Sequence, residues 1–341
     1  MSLKMNGKIA LLDYFEGKEA AALLIDGELY DFFAEEDVIA PGSIFRVKVK
    51  HQLKGSGGVF VESPDGDFFL HQTKGINTGD VILVQVSSYG DKEKLPRVTT
   101  KILFKSRYAI VTPFAVGFNI AKNIQDDERR IWLKQMVTEG LEEIPYGMIL
   151  RSSCKSDSDS KILNDCGNMN TSAQNVISDD NNKLGLVYRS HSPHQMAWRE
   201  WNDIPAADKS SGSFAEYGVL ELIDELKNSK VIINECNYHI EPTKAFVAID
   251  VNTAADFSFA AGLKANLAMA KDLPRQLRLR GLGGQIVIDP APIPKRDRKA
   301  VENALRAAFR KDTVETNFVG WTAMGLLELQ RARIRPNWLN L

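Results

Sequence analysis

Cysteine is scarce in this 341-residue chain: Cys154, Cys166 and Cys236 are odd in number and form no CxxC pair. That argues against a disulfide framework and against a cysteine zinc site. Long apolar runs are missing as well. No stretch of about 18 apolar residues is there to span a bilayer, and "MSLKMNGK" leads into a strand-like run, not a signal-peptide core. A cytoplasmic location without a membrane partner is therefore expected. Histidine numbers only five; His191 and His194 stand three apart, but Pro193 between them resists a helix and no third ligand follows. A metal is not expected there. Net charge is almost absent, at −1, and 44% apolar with 26% charged residues describes an ordinary soluble globular protein. The length suits two or three domains.

The near-neutral total hides an asymmetry. Lys271 to Lys311 holds eleven Lys and Arg against four Asp and Glu, a local +7, which leaves −8 for the remainder. A polyanion partner fits that segment; solvated helix faces are the plainer explanation of the same charges.

Residues 1–40 begin as a meander, "KIALLDYF", "AAALLID" and "ELYDFF", separated by the turn pairs Glu16-Gly17 and Asp26-Gly27. Residues 41–105 carry five short strand patterns, "SIFRVKVKHQ", "GVFVES", "DFFLHQ", "VILVQVSSYG" and "RVTTKILF", with turns at Gly55–Gly58 and Asp65-Gly66. A small closed barrel of the OB kind accounts for them. Within 106–153, residues 126–140 predict a short helix with acids in its first turn. Residues 154–213 are rich in Ser, Asn and Asp, and predict a long loop or a reduced subdomain.

Residues 214–341 are the most regular. A helix "FAEYGVLELIDELKN" precedes the strands "KVIINE", "NYHIEPT" and "KAFVAIDVN". A helical stretch from Phe259 to Arg280 is expected to kink or restart at Pro274. Gly281, Gly283 and Gly284 stop it before the apolar strand "QIVID", and Asp297 is placed to cap a last helix with the stripe Val301, Leu305, Ala308 and Phe309. Strand 244–250, helix 259–280 and strand 285–289 form a βαβ unit, so the two strands should be parallel and end on one edge. Asp250 and Asp289 then emerge together. Paired carboxylates repel unless a cation lies between them, and magnesium takes only one or two carboxylates from a protein. Asp250, Asp289 and a neutral oxygen from Asn252 would suffice, with manganese as an alternative ion. An aspartate at a strand end can also simply cap the next turn.

The runs "VAIDVNT", "NLAMAKDLPRQLRLRGLGGQIVID", "RKAVENALRAAFRKD" and "MGLLELQRARIRP" resemble the catalytic core of the ribonuclease E/G family over roughly residues 240 to 336. The resemblance implies an α/β chain, α+β overall: an RNase H-like catalytic domain with an inserted OB-fold barrel, and a 5′-end-sensor-like region at 106–153. It implies a magnesium-dependent endoribonuclease that cuts single-stranded RNA in RNA processing or decay, leaving a 5′-phosphate. The family's metal-binding aspartates fall on Asp250 and Asp289, and its supporting asparagine on Asn252. Its base-contacting barrel aromatics fall on Phe60 and Phe69, and a basic barrel residue on Lys94. Phe60 and Phe69 are suited to stacking unpaired bases, with filling the barrel as the alternative. Arg275, Arg278 and Arg280 of the basic segment are expected to hold RNA phosphates.

The sequence also departs from the family pattern. The Arg-Thr pair that binds a 5′-monophosphate corresponds to Arg151 and Ser152, while a second arginine used for that purpose aligns with Glu315. The CPxC zinc link of longer members is missing before the final "RPNWLNL", so neither zinc nor a zinc-linked tetramer is expected; a homodimer stays open. The competing reading is an RNA-binding protein with little or no nuclease activity. A nucleotide-binding enzyme using "RGLGG" fits poorly, because those glycines precede a strand instead of joining strand to helix.

Overall fold

The computed structural model describes residues 7–339 apart from 53–56, 72–73, 91–93, 203, 205–206 and 254. Contacts divide the chain into two units, Met1–Glu36 with Pro205–Leu341, and Asp37–Ile204.

Strands β1 (Lys8–Phe15), β2 (Lys18–Ile25) and β3 (Glu28–Ala34) form the expected antiparallel meander of the first unit. Both turns are of the mirror-image kind that suits twisted strands: φ is 51° and 79° at Glu16 and Gly17, and 52° and 84° at Asp26 and Gly27. Leu11, Ala22, Leu24 and Phe32 point into a shared core.

The second unit opens with a five-stranded closed barrel: β4 (Ile44–Gln52), β5 (Val59–Ser63), β6 (Gly66–Leu70), β7 (Val81–Ser88) and β8 (Arg97–Thr99). Strand order runs β4-β5-β6-β8-β7, and β4 pairs with β7 to close the ring, an OB-like arrangement. The inner positions Phe45, Val47, Val61, Phe68 and Val98 fill it. The expected turn at Gly55–Gly58 lies partly outside the described residues.

The run "RVTTKILF" is divided between two sheets. Its end becomes β9 (Phe104–Lys105), which joins β10 (Ala109–Thr112), β11 (Phe118–Ile120) and, after helix α1 (Asp127–Gly140), β12 (Gly147–Leu150). The Asp126 side chain caps α1 by accepting from the N–H groups of Glu128 and Arg129.

Of the two expectations for 154–213, a long loop or a reduced subdomain, the long loop gives way to regular elements. A 19-residue helix, α2 (Asp159–Ile177), buries Ile162, Cys166, Met169, Ala173 and Val176. Their spacing of four, three, four and three is a helical stripe, which the many Ser and Asn residues on the other faces had concealed. Strand β13 (Gly185–Tyr188) then pairs with β4, and helix α3 (Pro193–Glu200) follows. Pro193 does not prevent that helix, because it occupies the first turn, where its missing N–H has no intrahelical partner to lose.

The chain returns to the first unit with β14 (Ala207–Asp208), parallel to β1. The single helix expected around residue 214 is two short ones, α4 (Ser213–Glu216) and α5 (Val219–Glu225), because Gly218 takes φ of 71° between them. A six-stranded sheet follows, built from β15 (Lys230–Ile233), β16 (Cys236–Pro242), β17 (Val247–Thr253), β18 (Gly284–Asp289), β19 (Thr316–Trp321) and β20 (Leu327–Arg331). Its order is β15-β16-β17-β18-β20-β19. The opening meander lies in a sheet of its own and does not extend this one.

Helix α6 (Phe259–Leu279) connects β17 to β18, and α7 (Arg298–Lys311) follows β18. Pro274 neither ends nor divides α6. A proline inside a helix costs about 3 kcal/mol. Here Leu273 and Leu277 on either side of it are sealed in the core, and burying each contributes about 1.5–3 kcal/mol. Asp297 stands at the N-terminal end of α7, but its side chain makes no capping hydrogen bond.

Candidate metal centre and nucleic-acid surfaces

Strand β17 alternates: Val247, Ile249 and Val251 enter the core, while Asp250 and Asn252 face away from it. Strand β18 does the same with Ile286 and Ile288 inward and Asp289 outward. The two strands are parallel, and Asp250 and Asp289 are direct register partners on the last shared rung. Both carboxylates are exposed, and neither has a cationic partner among the described residues. Asn252 donates from Nδ2 to Asp250 Oδ2 at 2.8 Å, so the amide orients this carboxylate. Two adjacent, uncompensated carboxylates and one amide oxygen are a donor set suited to a hard divalent ion that keeps much of its water. Among the described residues, no three His, Cys, Asp or Glu side chains gather to hold a metal by themselves.

The arginines expected to grip phosphates are placed otherwise. Arg278 is 5% exposed and Arg280 2%. Arg278 pairs with Asp31 at 3.2 Å and with Asp312, which also binds Arg331 at 2.7 Å, while Arg335 holds Asp31 at 3.1 Å. Arg280 donates to Gln276 and to the Asn228 carbonyl at 3.1 Å. Arg275 is half-buried, bound to Asp272 at 2.9 Å and Glu28 at 3.2 Å. All three tie elements of the first unit together, so apart from Lys271 on α6 the exposed positive charge of this segment belongs to α7 and the loop before it.

On the barrel, Phe60 and Phe69 are register partners on the outer face, half-exposed, with centroids 5.5 Å apart. His71 extends the row at 5.0 Å from Phe69. The barrel interior is filled by their neighbours Val59, Val61 and Phe68, so the rings are available for stacking. Gly58 makes room for this row: a Cβ there would lie 2.4 Å from the tip of the Phe69 ring. Lys94 is exposed on the segment leading into β8, whose Arg97 pairs with Phe69.

Arg151 does not offer a free guanidinium. It binds Glu200 at 3.0 Å, and Glu200 is also held by Arg199 at 2.6 Å. Burial works to raise the Glu200 pKa, yet Arg199 and Arg151 together hold it below the usual carboxylate range. A carboxylate thus sits where Arg151 would receive an anion; the Ser152 hydroxyl beside it is exposed.

A family model described as the ribonuclease E/G family matches residues 104–204 and 197–334. The chain belongs to the ribonuclease E/G family. Ribonuclease G of Escherichia coli K12 is 24% identical over 364 residues, covering 87% of this chain and 73% of its own. Ribonuclease G of Haemophilus influenzae is 27% identical over 302 residues, 77% of this chain and 61% of its own. Ribonuclease E of Escherichia coli K12 reaches 42% over 104 residues, 29% of this chain and 10% of its own.

Within this member of the ribonuclease E/G family, sequence reasoning missed three residues around the two sites. Asn266, fully buried in α6, binds both polar groups of Ala291, two residues beyond Asp289. The "NL" opening of the quoted motif was its only signal. His239 is the register partner of Asp250 from β16, so it stands on the same rung and face. Glu200 closes over Arg151 from α3, a pairing across 49 residues that no local pattern announces.

Proposed function

We propose that this endoribonuclease cleaves single-stranded RNA at the edge where β17 and β18 end, with Asp250 and Asp289 holding a magnesium ion, or manganese in its place. The first unit then serves as an RNase H-like catalytic domain, and the barrel rings Phe60 and Phe69 receive unpaired bases. The observation that carries this reading is the register of Asp250 opposite Asp289 across a parallel pair.

Each residue has a definable task. Asp250 and Asp289 supply the anionic oxygens, and Asn252 fixes the rotation of Asp250 through its amide N–H. Asn266 clamps the chain leaving β18, which keeps Asp289 from drifting. A bound divalent ion supplies positive charge that polarises a phosphodiester and makes a water nucleophilic near neutral pH. Hydrolysis at the 3′ oxygen side leaves the 5′-phosphate on the downstream product. The barrel rings stack bases with little regard to sequence, which accords with a preference for unpaired RNA.

The test is cleavage of a labelled, unstructured A/U-rich RNA, with and without magnesium, by the intact chain and by an Asp250→Asn, Asp289→Asn variant. Magnesium-dependent cuts that vanish in the variant support the reading. Undiminished cutting by the variant would sink it, and tight binding without cuts by either protein would favour an RNA-binding role.

A further inference from the structure

The seam between α7 and the edge strand β19 combines cationic and aromatic side chains in a way the carboxylate edge does not use. Arg298, at the start of α7, lies 4.8 Å from the centroid of the Trp321 ring. Arg306 lies 4.3 Å from the centroid of the Phe318 ring. Beyond it, Arg306 and Arg310 line an open cavity of about 300 Å³ floored by Leu305 and Leu329, with Phe318 at its wall.

Register gives this row a direction. Trp321 pairs with Leu327, which pairs with Ile288, the residue before Asp289. Thr316, at the other end of β19, pairs with Arg331, which pairs with Gly284 at the start of β18. The row therefore begins at the rung beside the carboxylate edge and runs away from it for the length of α7, about 18 Å between Arg298 and Arg310. Gly325 keeps its beginning open, since a Cβ there would lie 2.9 Å from an Arg298 nitrogen.

Charge selects the occupant. From Lys295 to Lys311 there are seven Lys and Arg against Asp297 and Glu302, a net +5, and none of these seven is buried. Glu302 is engaged by Lys299 and by the Nε of Arg306, leaving the two terminal nitrogens of Arg306, with Arg298, Arg310 and Lys311, as outward donors along the row. A guanidinium lying on an aromatic ring is held in place while its N–H edge still points to solvent, a preorganised phosphate donor. A narrow line of such donors with an apolar recess fits one flexible polyanionic strand that carries flat bases.

We propose that the α7–β19 seam is a path for single-stranded RNA leading to the carboxylate edge, with phosphates along Arg298, Arg306 and Arg310 and a base in the recess beside Phe318. Glu315, the one carboxylate lining the recess, faces the base and accepts hydrogen bonds from amino-bearing bases. This rests on the RNA-cleaving reading above, but its test is separate.

Binding of a fluorescent ten-nucleotide single strand to the full chain is measured by anisotropy in EDTA, where no cleavage occurs, across a salt series. Arg306→Gln with Arg310→Gln, both at exposed positions outside the core, should weaken binding at least tenfold at low salt. The slope of log affinity against log salt should fall by about 1.4, two phosphate contacts at about 0.7 each. Phe318→Leu, which keeps the wall apolar, should weaken binding about fivefold and leave the slope unchanged, since stacking is not an ionic term. Affinities within twofold of the unmodified chain for both variants would overturn the path. So would an equal loss for duplex and single-stranded RNA, which would mean an unselective charged surface. Neither result bears on whether Asp250 and Asp289 cut RNA.

Discussion

Asn266 and Ala291 are joined by a closed pair of hydrogen bonds. The Asn266 Nδ2 donates to the Ala291 carbonyl at 2.9 Å, and the Ala291 N–H donates to Asn266 Oδ1 at 3.0 Å. Gly262, one helical turn earlier, allows the same loop to approach α6, since a Cβ there would lie 2.3 Å from the Pro292 carbonyl. The end of β18 is thus pinned to the helix that connects it to β17, and the spacing of the two aspartates is set by packing on both sides.

Asn266→Ala removes both bonds and leaves a buried N–H and carbonyl unpaired. A loss of about 1–3 kcal/mol of stability for each stranded group is expected. Chemical denaturation measures it, and cleavage should fall even at temperatures where the variant is fully folded.

Asp250→Asn should lower magnesium-dependent cleavage by on the order of 100-fold, the scale of losing a metal's charge from the transition state. Binding also has a readout independent of activity. Magnesium should raise the Tm of the unmodified chain in a concentration-dependent way, and the Asp250→Asn, Asp289→Asn variant should lose that response. The metal-free variant should melt slightly higher than the metal-free parent, because its two carboxylates no longer repel.

Asp312→Asn takes the paired carboxylate from Arg331 and one of two from Arg278, which keeps Asp31, in a site where the Asp312 side chain is 0% exposed. Breaking a buried pair this way costs about 3–5 kcal/mol. Equilibrium unfolding should show that loss, and the salt dependence of RNA binding should be unchanged, since Arg278 donates inward.

Glu200 neutralises Arg151, so cleavage rates on 5′-monophosphorylated and 5′-hydroxyl versions of one RNA should agree within about twofold if that carboxylate stays seated, the bond being a charge-assisted pair. Glu200→Gln leaves the Arg151 charge unneutralised and should make the monophosphorylated RNA the better substrate. A marked 5′-monophosphate preference in the unmodified chain would show that Glu200 yields to phosphate.

His191 gives the stability a pH dependence. Burial, then the nearby Arg199, lowers its pKa to about 4, with Glu200 opposing. Above about pH 6.5 the ring is neutral folded and unfolded, and contributes nothing to the slope. Below that, the unfolded chain takes up a proton that the folded chain rejects, so stability should fall as pH drops toward 4, by at most about 3 kcal/mol. His191→Gln should flatten that part of the stability profile.

Much of the carboxylate edge was legible because its determinants are local. The alternation in "FVAIDVN" and the apolar run "QIVID" each assign an outward aspartate from a few residues of chain, and one connecting helix forces the strands parallel. Helix α2 was not legible, because its stripe from Ile162 to Val176 is a minority among polar residues and shows only once a partner core exists to bury it. The proline signal misled at Pro193, where a ring in the first turn costs the helix no hydrogen bond, and the restart allowed for at Pro274 did not occur, because what α6 buries on either side offsets a penalty of a few kcal/mol.

The sequence by itself determined the two aspartates, the meander turns, the five barrel strands and the basic character of residues 271–311, since each follows from chain-local stereochemistry or from counting charges. Only the tertiary structure decided what those charges do. Arg278 and Arg280 became internal ties because Asp31, Asp312 and Gln276 fold around them, while Arg298 and Arg306 were set on aromatic rings at the surface. A guanidinium carries the same charge in either place; its partners are brought to it from distant parts of the chain, and burial then fixes whether it holds the fold or is free to hold a phosphate.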